Sequence, residues 1–180
     1  MLNDVLVTLK ESQLVEEIFI VADKHFNPVS NVQMITETEN RGYDEAIIEA
    51  LRDSRVNEAQ SMLILPADLP LVTRDELNIF IGNPEDKSIR IAGARDQDGT
   101  NALLMKPPSL LATSFGVGSF ERHKRVASGL SVKIKERNLP GLAFDMDTEK
   151  DLIDFIKTKS DTNTYRFLNE SGIVKRLTKL

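Results

Sequence analysis

The chain has 180 residues, 41% of them hydrophobic and 28% charged, with a formal net charge of −5 and no cysteine. This length suits one domain, residues 1–180, around a single core, and the absence of cysteine excludes a disulfide framework or a thiolate metal site and fits a reducing cytoplasm. The acidic balance argues against general nucleic-acid binding, and neither a membrane-length apolar run nor the basic start of a signal peptide is present.

Leu2, Val5, Leu6 and Leu9 recur at helical spacing, so the chain opens in a helix. EEIFIVAD (16–23) is a short apolar run with β-branched residues and reads as a buried strand, with VQMITE (32–37) as a second. GYDEAIIEALRDS (42–54) sets Ala46, Ile47, Ala50 and Leu51 on one helical face. SMLILPAD (61–68) reads as the strongest buried strand, stopped by Pro66. Thr73 precedes Glu76 by three residues, the spacing of a capping box. SIRIAGARD (88–96) and TNALLMKP (100–107) read as strands flanking a polar turn, and SFERHKRVASGL (119–130) as a helix. SVKIKER alternates like a half-exposed strand, LAFDMD (142–147) reads as a short strand, and TEKDLIDFIKTK as a helix capped by Thr148. NTYRFLNES closes the chain as a helix or turn. Strands alternating with helices predict an α/β fold with a mostly parallel twisted sheet flanked by helices.

Four motifs carry chemistry. SFGVGSFERH brings Gly116, Gly118 and Ser119 to a helix start, where free N–H groups and the positive dipole end favour an anion; a loop with an N-cap serine is the plainer alternative. DGTNALL adds Thr100 and Asn101 as polar donors, unless it is simply a hairpin turn. LPADLPL sets Asp68 just past a strand, as a Mg²⁺ ligand or a turn residue. DMDT puts Asp145 and Asp147 on one face of a strand end, where two carboxylates repel unless a cation lies between them. In an open α/β sheet such acidic groups converge beyond strand ends. The pattern points to metal-assisted phosphoryl or nucleotidyl transfer.

Taken in order, MLNDVL, GYDEAI, PADLPL, GTNALL, GSFERH and DMDTEKDL resemble the CofC family, guanylyltransferases of coenzyme F-420 biosynthesis that are similar to MobA-like nucleotidyltransferases of the GT-A fold. The resemblance implies that GTP is joined to a small phosphorylated acid such as 2-phospho-L-lactate or phosphoenolpyruvate, with release of pyrophosphate. It implies Asp68, Asp145 and Asp147 as Mg²⁺-binding catalytic positions. Thr100, Asn101, Gly116, Gly118 and Ser119 would hold the acid, and Gly42, Asp44, Pro66 and Ala67 would flank the nucleotide. Family members have a G-L-N-type turn where this chain reads G-Y-D, which exchanges an amide for a carboxylate at Asp44. The family's N-terminal strand and basic loop precede the helix at which this chain starts, so an N-terminally truncated sheet is expected, with an edge that a second copy could cover as a homodimer. The competing readings are a MobA-like nucleotidyltransferase with another acceptor and a catalytically impaired paralogue that binds a phosphorylated acid.

Overall fold

The computed structural model describes residues 1–27 and 29–177. In chain order the elements are α1 (Leu2–Glu11), β1 (Phe19–Ala22), β2 (Gln33–Thr36), α2 (Tyr43–Arg52), α3 (Ser54–Asn57), β3 (Met62–Ile64) and α4 (Arg74–Ile81). There follow β4 (Ser88–Gly93), β5 (Thr100–Lys106), α5 (Ser119–Gly129), β6 (Lys133–Glu136), α6 (Pro140–Ala143), α7 (Glu149–Thr158), α8 (Asn163–Glu170) and α9 (Ile173–Leu177). No helix among the described residues is long and apolar enough to cross a membrane.

The architecture is α/β, but its sheet is mixed rather than mostly parallel. β1 and β2 pair in parallel as a separate two-stranded sheet, and the larger sheet has the order β3-β5-β4-β6. Within it β6 runs parallel to β4, while β5 runs antiparallel to both β3 and β4. The short turn at 94–99 is the reason: a hairpin connection reverses the chain, whereas a parallel pair needs a long crossover.

Alternation along β4 and β5 builds a core on each face of the larger sheet. Ile89, Ile91, Leu103 and Met105 pack with Ile47 of α2 and with Phe120 and Ala127 of α5. Ala92, Ala102 and Leu104 pack on the other face with Val5 of α1, Phe80 of α4 and Leu142 of α6. Arg90 is buried among the latter and donates to the carbonyls of Phe80, Ile81 and Asn83, which ties down the open end of α4. A third cluster, Phe144, Phe155, Ile156 and Leu168, joins α7 to α8. Buried Asp4 of α1 accepts from the backbone and side chains of Asn163 and Thr164, so it fixes the start of α8. Its many donors hold its carboxyl below the usual range in spite of desolvation.

Further sequence expectations change. β1 is half-buried along its length rather than buried. β3 is three residues long and only Ile64 of it is buried; it lines an apolar cleft of 810 Å³ together with Phe19, Ile20 and Val21 of β1. LAFDMD is not a strand: Pro140 opens the helical turn α6, and residues 144–147 leave it without a strand partner. Gly141 permits that turn, since a Cβ there would lie 2.2 Å from Glu76 Oε2. Both capping boxes form, Thr73 with Glu76 and Thr148 with Asp151.

Candidate active site

The site lies where β3 ends and β5 begins. The two strands are antiparallel, with Ile64 opposite Leu103, so the residues after Ile64 sit beside those before Leu103. Met146 N donates to Asp68 O at 3.1 Å, which draws the 144–147 segment against the Asp68 loop. Arg95 stacks over Phe144 at 4.2 Å and pairs with Asp151, pinning the same segment from the β4–β5 turn. Asp68 and the sequence-distant pair Asp145 and Asp147 thereby come within electrostatic reach. The Asp68 carboxyl is pushed up by desolvation, then by the charges of Asp147 and Asp145. That of Asp145 is also raised, first by desolvation, with Asp147 adding to it and nearby Asn101 opposing it. Asp68 Oδ1 and Asn101 Nδ2 are buried without a hydrogen-bond partner; Asn101 acts on Asp145 through proximity rather than through a well-formed hydrogen bond. Among the described residues no three metal-ligating side chains are already arranged as a cation cage. The donor set nevertheless fits a hard divalent cation: carboxylate oxygens, one of them orphaned, at a place where desolvation and neighbouring negative charge raise the carboxyls of Asp68 and Asp145.

The loop at 114–119 is organised in the opposite sense. Its carbonyls are engaged: Arg122 donates to the oxygens of Ser114, Phe115 and Val117, and Gly116 O accepts from Ser119 N at 2.9 Å. Ser114 N donates to His123 Nε2 at 2.9 Å. Among the described residues the amides of Gly116, Val117 and Gly118 have no acceptor, so the loop presents consecutive N–H groups. Gly116 at φ 94° and Gly118 at φ 70° hold left-handed conformations that favour glycine. Ser119 is the first residue of α5 rather than its N-cap, and it is fully buried. Its hydroxyl donates to Thr100 Oγ1 at 3.1 Å. Phe120 N donates to Asp98 O at 3.2 Å, so the two polar loops meet.

Thr100 reaches this loop because of a register shift. β4 and β5 pair Ala92 with Ala102 but Gly93 with Thr100, leaving Asn101 as the extra residue of a bulge. In an unbroken strand Thr100 would share the face of Ala102 and Leu104; the bulge turns it toward α5.

The residues expected beside the nucleotide separate. Pro66 and Ala67 line the apolar cleft together with Tyr43. Gly42 is the N-cap of α2 at φ 99°, with open space where a Cβ would point. Asp44 instead directs both carboxylate oxygens to Phe115 N, each at 3.1 Å, and so braces the anion loop. The Tyr43 ring packs edge-on against Phe115, and its phenol is shifted upward by desolvation and then by Asp68 and Asp44. Sequence analysis leaves Arg122, His123 and Tyr43 without a role in the site. The available signal for Arg122 and His123 is their spacing: positions three and four after Ser119 lie over the preceding turn of α5.

The sequence matches the family described as guanylyl transferase CofC like over residues 1–179. The chain belongs to that family. It is 39% identical over 104 residues to a phosphoenolpyruvate guanylyltransferase of Sphaerobacter thermophilus, covering 58% of this chain and 48% of that one. It is 32% identical to a phosphoenolpyruvate guanylyltransferase of Conexibacter woesei, covering 83% and 70%. With a 2-phospho-L-lactate guanylyltransferase of Methanobrevibacter smithii it shares 27% identity, covering 96% and 77%. The chain thus spans about half the length of the Sphaerobacter relative. A Desulfovibrio desulfuricans protein proposed to be a nucleotide-diphospho-sugar transferase has a similar fold, with a TM-score of 0.72 at 14% identity over 97% of this CofC-like chain and 81% of that one.

Proposed function

We propose that this CofC-like chain is a guanylyltransferase that joins GTP to a phosphorylated three-carbon acid, releasing pyrophosphate, in the biosynthesis of coenzyme F-420. One observation carries the reading: at a single sheet edge, a loop with its carbonyls engaged and its amides free lies next to a cluster of under-neutralised aspartates. The first suits the acid's carboxylate and phosphate, and the second suits a cation-bound triphosphate. The names of the relatives, which specify phosphoenolpyruvate and 2-phospho-L-lactate, support acceptors of this class.

In the reaction a phosphate oxygen of the acid attacks the α-phosphorus of GTP. A new P–O bond forms, the bond from the α-phosphorus to the bridging oxygen breaks, and its electron pair leaves with pyrophosphate. No strong general base is required, because a phosphate monoester with a second pKa of about 6 is largely ionised at neutral pH. The work of the protein is alignment of two polyanions and stabilisation of the charge that shifts during attack. Thr100 and the amides of 116–118 orient the acid. Pro66, Ala67 and Gly42 flank the nucleotide side. Mg²⁺ held by Asp68, Asp145 and Asp147 would neutralise charge on the phosphates.

The test is pyrophosphate release with GTP, Mg²⁺ and either phosphoenolpyruvate or 2-phospho-L-lactate. Turnover that requires both an acid and the nucleotide is the expected result. A folded protein that releases no pyrophosphate with either acid overturns the transfer reading.

A further inference from the structure

His123 is fully buried, on α5, and both of its ring nitrogens are engaged. Ser114 N donates to Nε2 at 2.9 Å. A backbone N–H has a proton to give, so Nε2 is the bare, accepting nitrogen. In the neutral ring Nδ1 then carries the proton. Nδ1 lies 3.0 Å from Thr100 Oγ1, so it donates to that hydroxyl. Ser119 Oγ donates to the same oxygen at 3.1 Å. A hydroxyl oxygen has two acceptor positions and one proton. With both positions taken, Thr100 can act toward anything else only as a donor, and among the described residues none accepts its proton.

We propose that His123 is a positioning residue: with Ser119 it fills both acceptor positions of Thr100 Oγ1, so that Thr100 presents its proton to an anionic oxygen of the bound acid. The residue selects, at this point of the proposed acid site, an oxygen that accepts over a hydroxyl that must donate. The assignment of an acid ligand to Thr100 rests on the function proposed above; the hydrogen-bond polarity rests on the geometry alone. Desolvation agrees with a permanently neutral ring, lowering the His123 pKa to about 4 against the pull of Asp44 and with the push of Arg122. Phe115 stacks edge-on against the imidazole at 5.0 Å and fixes its plane.

Two measurements test this on the full chain. The first is long-range ¹H–¹⁵N correlation of the imidazoles in labelled protein, the His25 signals being identified with His25→Gln. A His123 ring protonated at Nδ1 and bare at Nε2, holding that state down to about pH 5, is expected. An Nε2–H tautomer, or protonation at the ordinary histidine pKa, overturns the proposal. The second is calorimetric titration with phosphoenolpyruvate. Thr100→Val should weaken binding by about tenfold to hundredfold, as for a lost hydrogen bond to a charged group. His123→Leu should weaken it similarly, and His123→Asn, which keeps an N–H near the Nδ1 position, by less. Adding Thr100→Val to His123→Leu should cost little more, because the two act through one proton. Additive losses, or wild-type affinity in Thr100→Val, overturn the positioning role. Wild-type protein that binds no phosphoenolpyruvate overturns the acid subsite, while the tautomer spectrum still decides the network on its own.

Discussion

The two halves of the site differ in how finished they are. The 114–119 loop is held from within the chain: Arg122, His123 and Asp44 engage successive backbone groups, and among the described residues the amides of 116–118 have no acceptor. The aspartate half is incomplete: Asp68 Oδ1 is buried with no partner, and Asp68 and Asp145 are both raised by desolvation and by negative neighbours. A network of opposite charges and backbone groups can be satisfied from within the chain, whereas like charges need a counter-ion from outside. The loop is therefore held from within the chain, whereas the aspartates carry negative charge that the chain itself leaves under-neutralised.

The sharpest way to separate the halves is Asp145→Asn. It should lower turnover by about a thousandfold, the scale of losing one strong electrostatic contact in the transition state, without lowering the melting temperature, because it removes a carboxylate whose ionised form the fold disfavours. Pyrophosphate release and thermal melting measured side by side check this; activity near wild type would remove Asp145 from the machinery.

Acid should break the other half. His123 is lowered from 6.5 to about 4 in the fold. Between those values the unfolded chain binds a proton that the folded chain does not, so its contribution to stability is fully present above about pH 6.5 and is lost as pH falls toward about 4. The loss is about 3 kcal/mol for this shift. Urea unfolding across this range should show the slope in wild type and a shallower one in His123→Asn. An unchanged slope in the variant would mean that other groups carry it.

The smallest effect is expected from Arg122→Lys. An ammonium cannot reproduce the planar fork that reaches the oxygens of Ser114, Phe115 and Val117. A loss of about 1–2 kcal/mol is expected, along with faster amide exchange in the 114–119 loop. Exchange at wild-type rates would show that Asp44 and His123 suffice to hold it.

Much of the local structure was legible because it depends on neighbours in sequence. Thr73 and Thr148 cap their helices through residues three positions on. β4 and β5 announced themselves as apolar runs around a polar turn, and they are buried on both faces. The same local signals misled at LAFDMD, where Pro140 starts a helical turn and tertiary ties replace strand pairing. They also misled at the sheet as a whole, where alternation of helices and strands suggested parallel order while the 94–99 hairpin imposed an antiparallel one.

The sequence by itself determined which residue types the site would have: small donors in two loops, three aspartates in two short acidic segments, and glycines where backbone must turn. Only the tertiary structure decided how they are arranged. The bulge at Asn101 turns Thr100 toward α5, Met146 N on Asp68 O gathers the aspartates, and Asp44 accepts from Phe115 N and so braces the 114–119 loop. Each of these depends on a strand register or on a hydrogen bond between distant segments, and neither is encoded in the periodicity of any one segment.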